Sequence, residues 1–332
     1  MEPNNWRKQI KPITPRTLPG VVHTAGLEPR MVRTARSLKQ LHRIRPGSYS
    51  FHPQEPDKNN FYADLERITL ERISAITKFV RPDSALSHTS AAALWGLPMS
   101  PTSMLPHITS QSTSNSTPKN LIIHRTSLPA EHVTSINGLR VTTIERTIVD
   151  CLRLLPPAQG LIFADSALTI GLNRELAIHI NQELPSARFR QRAHDLLEFA
   201  ALGAESPQES ILRFHLGSVG WPGLETQVPV LTPIGWSYLD VGSLREKVGF
   251  EYDGMDKYSN DALRQEKIRE HSLRNEGWHI ERFIASDLRD AQLLHARLRA
   301  IANDQRVKLE QTALMQHAKF DLVVSYRSRP RK

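Results

Sequence analysis

Apolar residues recur at helical spacing in some parts of the chain and alternate with polar residues in others. Over residues 61–80, Leu65, Ile68, Ile73 and Ile76 fall on or near one side, which predicts an amphipathic helix. The same criterion places further helices at 87–97, from 143, at 161–168, 193–202, from 206, at 261–276 and from 286. Strands are predicted at 107–109, 121–124, 139–142, 225–230, 236–240, 247–253 and 278–283.

The first 52 residues carry the pattern of a small winged helix-turn-helix. The predicted elements are a short helix at 17–24 interrupted by Pro19, a turn at Gly26, a helix at 28–37, and wing strands at 41–45 and 48–51. Arginine recurs every third position along the second helix, which keeps these side chains on one side. A helix and wing of this kind can hold the phosphates of DNA. The predicted DNA contacts are Arg30, Arg33 and Arg36 on the helix and Arg43 and Arg45 on the wing, the alternative being a solvated basic helix.

Composition and charge favour a soluble protein that binds a polyanion. The 332 residues include 43 basic and 34 acidic side chains, giving a net charge of +9, and a basic excess points to partners such as nucleic acid. No apolar run approaches the ~20 residues that span a bilayer, and the N-terminus lacks a secretory signal. The single cysteine, Cys151, is compatible with a reducing compartment. We therefore expect a cytoplasmic protein without membrane segments.

Acidic residues cluster in a predicted hairpin of the C-terminal third. Asp240 ends the first strand, and Glu251 and Asp253 alternate along the second. Glu209 lies in the first turn of the helix that precedes the strands. Carboxylates brought together in this way repel one another unless a cation lies between them, and hard divalent cations prefer oxygen ligands. The pattern predicts a metal site formed by Glu209, Asp240 and Glu251.

Each of these acidic residues also has a structural explanation. Ser206 and Glu209 have the spacing of a capping box. Asp240 and the Asp253-Gly254 pair are compatible with turns. Glu251 is harder to explain structurally, because it lies in mid-strand, where glutamate is disfavoured.

The C-terminal element order resembles that of a nuclease superfamily. The predicted order is helix, three strands, helix, strand, helix, and with Glu209, Asp240 and the run GFEYDG it resembles the PD-(D/E)xK nucleases. The runs ESPQES, LDVG, RxxxLRNEGW and ERF are similar to the "domain of unknown function 559" group, relatives of very-short-patch repair endonucleases, over roughly residues 201–302. This resemblance implies hydrolysis of DNA phosphodiesters with Mg²⁺ (or Mn²⁺) at Asp240, Glu251 and Glu209.

Two features of the predicted site concern its basic residues. The superfamily usually carries a lysine where this chain has Asp253, so Lys257 and Lys247 are the nearest candidates for that role. Basic residues on the following helix are candidates for phosphate contacts, with a solvated helix face as the alternative; they are Arg264, Lys267 and Arg269.

The region before the hairpin resembles a second family. The strings RIRPGSYS, SHTSAAALWGLP, GLRVTTIERTIVDCLRLLP and FADSAL are similar to the AbiE-type (AbiEi-like) antitoxins, over roughly residues 20–170. The resemblance implies a DNA-binding head, a second α+β lobe and a cognate toxin as partner. None of the fourteen histidines has HExxH or CxxC-type spacing, so the sequence predicts no zinc site.

The expected fold is α/β (α+β overall), in four parts. These are a winged helix-turn-helix (1–52), an α+β lobe (53–200), a restriction-endonuclease-like α-β-β-β-α-β core (201–302) and a basic tail (303–332). Two functions follow: a DNA-binding protein with an active Mg²⁺-dependent endonuclease domain, or a non-catalytic DNA-binding regulator or antitoxin that retains the nuclease fold as a scaffold.

Overall fold

The polypeptide forms two units, each assembled from two stretches of chain. The structure, a computed structural model, describes residues 13–57, 60–99, 105–112, 120–254 and 260–318. The N-terminal unit comprises residues 13–154 and 172–190, and the C-terminal unit comprises residues 155–171 and the described residues from 191 onward. Both units mix helices with sheets, so the mixed α/β class is confirmed. Among the described residues, no helix has both the length and the apolarity to span a bilayer.

The head of the N-terminal unit is one helix beside a three-stranded sheet. Its elements are β1 (Val22–His23), α1 (Pro29–Ser37), β2 (His42–Arg45) and β3 (Ser48–Ser50). β3 pairs antiparallel with β1 and β2, so the predicted wing hairpin is present. The predicted helix over residues 17–24 is wrong: these residues form no helix, and Val22–His23 form β1. Pro19 and Gly20 oppose helix formation, and Val21 and Val22 favour a strand.

A five-stranded sheet forms the lobe that follows. In chain order the elements are α2 (Phe61–Ser74), β4 (Ser84–Leu86), α3 (His88–Leu94), β5 (His107–Ser110), β6 (Ile122–Arg125), β7 (Val133–Ile136), β8 (Leu139–Thr142) and α4 (Ile144–Leu154). The strand order is β6-β5-β4-β8-β7, with β5–β6 and β4–β8 parallel. The sequence analysis did not predict β4 and β7, although it predicted the equally short β5, β6 and β8. Leu86, Ile108 and Val141 of this sheet pack with Ala91 and Leu94 of α3 in the core.

Three helices follow the lobe and are divided between the units. They are α5 (Pro157–Leu168), α6 (Arg174–Glu183) and α7 (Arg190–Phe199). α6 packs against α4 of the N-terminal unit. Residues 155–171 and 191–200 belong to the C-terminal unit, whereas the sequence-based boundaries put them in the middle lobe. The physical reason is the packing of α5 against the helix that opens at Pro207.

The C-terminal unit has a single four-stranded sheet between helices. Its remaining elements are α8 (Pro207–Val219), β9 (Leu224–Thr232), β10 (Gly235–Ser243), β11 (Val248–Tyr252), α9 (Asn260–Asn275), β12 (His279–Phe283) and α10 (Ala291–Asp304). The strand order is β12-β11-β10-β9, with β11–β12 parallel and the other pairs antiparallel. β9 lies at the edge of the sheet, as Pro229 predicts.

Both faces of this sheet are covered by apolar side chains. One cluster joins Val241, Phe250 and Phe283 of the strands to Leu212 of α8 and Leu298 of α10. A second cluster includes Leu239 of β10, Ile280 of β12 and Leu273 of α9. Helices α8 and α9 therefore pack against the sheet through different apolar clusters.

The first part of the predicted basic tail packs on the C-terminal unit. Val307, Leu314 and Ala318 are buried, and the Thr312 hydroxyl donates a hydrogen bond of 2.8 Å to the Gly217 carbonyl. Residues 303–318 of the predicted basic tail therefore include side chains that pack on the folded C-terminal unit. Residues 319–332 lie outside the described residues.

Candidate functional site

Glu209 is positioned by the N-terminus of α8. The Ser206 hydroxyl accepts a hydrogen bond of 3.2 Å from the Glu209 amide, and Pro207 occupies the first turn. The Glu209 carboxylate accepts a hydrogen bond of 2.8 Å from the Glu205 amide, a variant of the capping box. Glu209 is buried, and its pKa is raised partly by the charge of Asp240. Glu209 therefore caps α8 and also lies near Asp240, so its structural role and its place in the acidic cluster are compatible.

Asp240 and Glu251 come from neighbouring strands. The β10–β11 ladder includes Val241 opposite Phe250, and beyond it the Tyr252 amide donates a hydrogen bond of 2.8 Å to Asp240 Oδ2. The Asp240 carboxylate thus lies between the two strands where regular pairing ends. The sequence placed Asp240 at a strand end, whereas β10 continues to Ser243.

The three carboxyl groups share an environment that disfavours their charged forms. Burial first, and then the charge of Asp240, raise the pKa of Glu209 to about 8. Burial raises the pKa of Asp240 to about 6, with further increases from Glu205 and Asp253. Burial also raises the pKa of Glu251 to about 7, where the attraction of Arg269 opposes the repulsion of Asp240. Perturbed acids that cluster in this way are characteristic of functional sites.

Two arginines hold Glu251 in place. Arg269 of α9 donates to Glu251 Oε1, with the Nη1 contact at 2.8 Å, and Arg282 Nε of β12 donates to Oε2 at 3.3 Å. Both guanidinium groups also contact Glu266. Glu251 and Glu266 occupy the donors of Arg269 in this structure, and the role of Arg269 in phosphate binding stays a prediction. Sequence reasoning missed Arg282, which enters the site because Glu251 is its neighbour in the parallel β11–β12 pair.

Three further residues were predicted for the acidic site, namely Asp253, Lys257 and Lys247. The charge of Asp253 raises the pKa of Asp240, so the two carboxylates are close. The amide of Asp253 donates to the Phe283 carbonyl at 2.8 Å. Lys257 lies outside the described residues. Lys247 precedes β11 and donates to the Glu276 carbonyl at 2.8 Å, and its suggested role at this site stays a prediction.

The donor set at this cluster suits a hard divalent cation. Glu209 and Asp240 are anionic oxygen donors whose mutual repulsion a bound Mg²⁺ would relieve. Glu251 already has arginine partners, so it would bind the ion at the expense of those contacts. Among the described residues, the three carboxylates do not have all their ligand atoms within 4.8 Å of one another. Glu209 and Asp240 are thus the better-suited pair of ligands.

The basic residues of the head divide into an exposed set and one buried member. Arg30, Arg33 and Arg36 are exposed along α1, and Arg43 is exposed on β2. Arg33, Arg36 and Arg43 line one open groove of about 620 Å³. Arg45 is only 7% exposed, lies 4.1 Å from the ring centre of Phe79 and donates to the Ala75 carbonyl at 3.5 Å. The Arg45 side chain thus packs into the lobe, and its contact with DNA stays a prediction.

Arg264 and Lys267 of α9 are exposed. Their predicted role in holding phosphates stays a prediction. Their exposure distinguishes them from Arg269, which lies on the same helix.

A cluster of histidines in the N-terminal unit was not predicted from the sequence. His88, His107 and His124 have ligand nitrogens that all lie within 4.8 Å of one another, and no other group of three metal-ligating side chains among the described residues does so. They come from the start of α3 and from β5 and β6. Spacings of 19 and 17 residues match no metal-binding motif, and they meet only because β5 and β6 pair in parallel.

Fold and sites together define a mixed α/β protein with an exposed basic head, a histidine cluster and an acidic cluster. Residues 84–199 match the family model of the AbiEi antitoxin C-terminal domain. The matched stretch begins with β4 and ends with α7, and it covers just over a third of the chain. It supports the predicted resemblance to AbiEi antitoxins in that region. Neither a curated protein nor a solved structure matched the chain.

Proposed function

We propose that this chain is a DNA-binding protein of a toxin–antitoxin type system whose C-terminal unit hydrolyses DNA phosphodiesters with Mg²⁺ or Mn²⁺. The match of residues 84–199 to an antitoxin domain supports the first part, and with it a cognate toxin as partner. The exposed arginines of α1 and β2 supply the DNA-binding surface. The electrostatic coupling of Asp240 to both Glu209 and Glu251 carries the second part.

The topology around the acidic cluster supports a nuclease core. The order α8-β9-β10-β11-α9-β12, with three antiparallel strands and a fourth parallel to β11, is the arrangement expected for a PD-(D/E)xK domain. Glu209 on the first helix, Asp240 on the second strand and Glu251 on the third occupy the positions at which that superfamily carries its acidic ligands. In this proposal residues 201–302 are a restriction-endonuclease-like domain.

The residues of the site have separate roles in the proposed reaction. Glu209 and Asp240 would hold the metal, with Glu251 as a third ligand whose carboxylate Arg269 and Arg282 orient. A bound Mg²⁺ lowers the pKa of its water and neutralises charge on the leaving oxygen.

Because Asp253 stands at the position of the usual lysine, the role of positioning water falls to Lys257. Arg264 and Lys267, both exposed on α9, would contact the DNA backbone.

Nicking of supercoiled plasmid tests the proposed nuclease. We expect cleavage by the full chain with Mg²⁺ or Mn²⁺, none with EDTA, and a rate at least about 100-fold lower for Asp240→Asn and Glu251→Gln, because metal assistance supplies several kcal/mol. Glu225→Ala is the matched control, since Glu225 is an exposed acid on β9 of the same sheet. Equal cleavage by wild type and both site variants would refute the proposed catalytic site.

A non-catalytic regulator is the second candidate, and two observations favour it. Asp253 replaces the usual lysine, and Arg269 and Arg282 already neutralise Glu251. This function predicts sequence-selective DNA binding that persists in EDTA and no cleavage with any divalent metal. Absence of a specific operator near its own gene would contradict it.

Removing one arginine of the head is expected to weaken DNA binding without changing sequence preference. Arg33→Ala or Arg36→Ala should reduce the slope of log K against log salt concentration by about 1 for each phosphate that the variant no longer neutralises. Fluorescence anisotropy with a labelled duplex at several salt concentrations measures this slope. Arg188→Ala, which changes an exposed arginine of the same unit, should leave the slope unchanged. An unchanged slope for both α1 variants would show that α1 does not contact DNA phosphates.

A further inference from the structure

Three histidines meet inside the lobe of the N-terminal unit. His88 is the first residue of α3, His107 opens β5, and His124 lies in β6. His88 and His107 are buried, and His124 is half-buried. A single histidine in a core is ordinary, but three with mutually facing rings place several imidazole nitrogens at one point.

The distances between the rings are short. His107 Nδ1 lies 2.8 Å from His124 Nε2, and the ring centres of His88 and His124 are 3.6 Å apart. All three pairs of rings are stacked, the widest being His88 and His107 at 5.6 Å. A zinc ion with Zn–N bonds of about 2.0–2.1 Å separates its nitrogen ligands by about 3.3 Å in a tetrahedral site. The closest pair of nitrogens would open by about half an ångström to accept such an ion.

The surroundings keep the imidazoles neutral. Burial lowers the pKa of His88 well below its usual value and lowers the pKa of His107 to about 2, with the neighbouring imidazoles adding to both effects. Burial also lowers the pKa of His124. Neutral imidazole is the form that binds metals. His107 Nδ1 and His124 Nε2 share one proton across their 2.8 Å contact, so an ion bound by both nitrogens requires that proton to move to the other nitrogen of its ring.

A carboxylate and a hydroxyl face the histidine that opens α3. His88 Nδ1 lies 2.9 Å from Ser87 Oγ and 3.7 Å from Asp150 Oδ2, which leaves Nε2 to bind a ligand. Asp150 is 5% exposed, and its Oδ2 has no hydrogen-bond partner among the described residues. Its other oxygen, Oδ1, accepts from Arg146 Nε at 2.9 Å. A carboxylate behind a histidine is the usual support of a metal-bound imidazole.

The backbone at His88 is strained in addition. Its φ is +51°, a left-handed conformation that costs a non-glycine residue about 1–3 kcal/mol and that clusters at functional sites. This backbone strain is a separate observation from the ring distances and from the Asp150 oxygen that has no hydrogen-bond partner among the described residues.

We propose that His88, His107 and His124 bind one divalent transition metal ion of the zinc class, with Asp150 orienting His88. Imidazole ligands favour zinc, cobalt, nickel, copper or iron over magnesium and calcium. The site lies within the stretch that matches the antitoxin domain, and it is separate from the acidic cluster. It does not depend on the proposed nuclease activity.

Reconstitution of the full chain with Co²⁺ or Zn²⁺ tests this site. After treatment with EDTA and removal of the chelator, we expect wild type to bind one equivalent of Co²⁺ with the strong visible absorption of a tetrahedral nitrogen-bound ion. Octahedral coordination by carboxylate oxygens absorbs only weakly, which separates this site from the acidic cluster. Zn²⁺ should displace Co²⁺, and excess Mg²⁺ should not.

Variants assign the bound ion to the three histidines. We expect His107→Ala and His124→Gln to lose the Co²⁺ absorption and the Zn²⁺-dependent rise in Tm. His295→Ala is the matched control, because it disrupts the other close imidazole pair, His215 Nδ1 and His295 Nε2 at 3.0 Å, and should retain both signals. Wild type that binds neither metal, or that binds them equally after His107→Ala and His124→Gln, would overturn the proposal.

Discussion

Between about pH 5 and pH 8, the C-terminal unit is expected to lose stability by several kcal/mol. The pKa values of Glu209, Asp240 and Glu251 are raised to about 8, 6 and 7, whereas unfolded carboxyls titrate near 4. In this range the folded state holds protons that the unfolded chain has released. Stability must therefore fall as pH rises through it and level off above the highest of these pKa values.

Urea unfolding followed by tryptophan fluorescence measures this loss. Trp221, Trp236 and Trp278 lie in the C-terminal unit and report its unfolding. The urea midpoint should decrease steadily from about pH 5 to pH 8. A midpoint that is constant or that increases over this range would contradict the raised pKa values.

The same measurement shows whether the acidic cluster binds a metal. Mg²⁺ should raise the urea midpoint at about pH 8, where the carboxyls are ionised, and have no effect at pH 5, where they are protonated. Asp240→Asn removes one repelling charge, so it should stabilise the metal-free unit at pH 8 and abolish the effect of Mg²⁺. A pH-dependent midpoint without any effect of Mg²⁺ would favour the non-catalytic regulator, because repulsion among the acids needs no ion.

Much of the C-terminal unit was predictable because its signals are local. Ser206 and Glu209 marked the start of α8, and Pro229 marked β9 as an edge strand. The alternation from Val248 to Tyr252 predicted β11. These patterns depend on neighbours a few residues apart, which a single sequence displays.

The contacts that the sequence did not reveal are those between residues distant in the chain. Arg45 stacks on Phe79, and Arg282 reaches Glu251 across 31 residues. Charge pattern marks such arginines as surface residues, because it carries no information on which acid or ring they meet. Lys247 comes just before the first residue of β11, whereas Glu251 lies near the other end of that strand.

The histidine cluster is a further case in which residues distant in the sequence meet without a local signal. His107 and His124 lie in parallel strands, and parallel pairing requires a long connection. The ligands of a site built in this way have no fixed spacing, so the absence of a short metal-binding motif did not exclude one. The reasoning against a zinc site held only for ligands on one helix or one hairpin.

Arg213→Ala is expected to destabilise the C-terminal unit by about 3–5 kcal/mol, because it leaves Asp165 as a buried, uncompensated charge. Arg213 is 2% exposed, and it donates to Asp165 Oδ1 at 2.6 Å and to the Phe199 carbonyl at 2.7 Å. Its guanidinium also lies 4.4 Å from the ring centre of Phe199. These interactions join α8 to α5 and α7, so removing them also loosens the helix that carries Glu209 one turn earlier.

The urea midpoint of Arg213→Ala should fall by roughly 1.5 M or more. Arg213→Lys should recover little of it, since lysine lacks the planar group that stacks on Phe199 and donates in two directions. Replacing Arg213 and Asp165 together by leucine should recover most of the stability, because no buried charge then remains. Arg245→Ala is the control: its side chain is 89% exposed beside Glu246, and surface pairs contribute about 1 kcal/mol at most. A decrease for Arg213→Ala no larger than that of Arg245→Ala would show that the buried pair does not hold α8 in place.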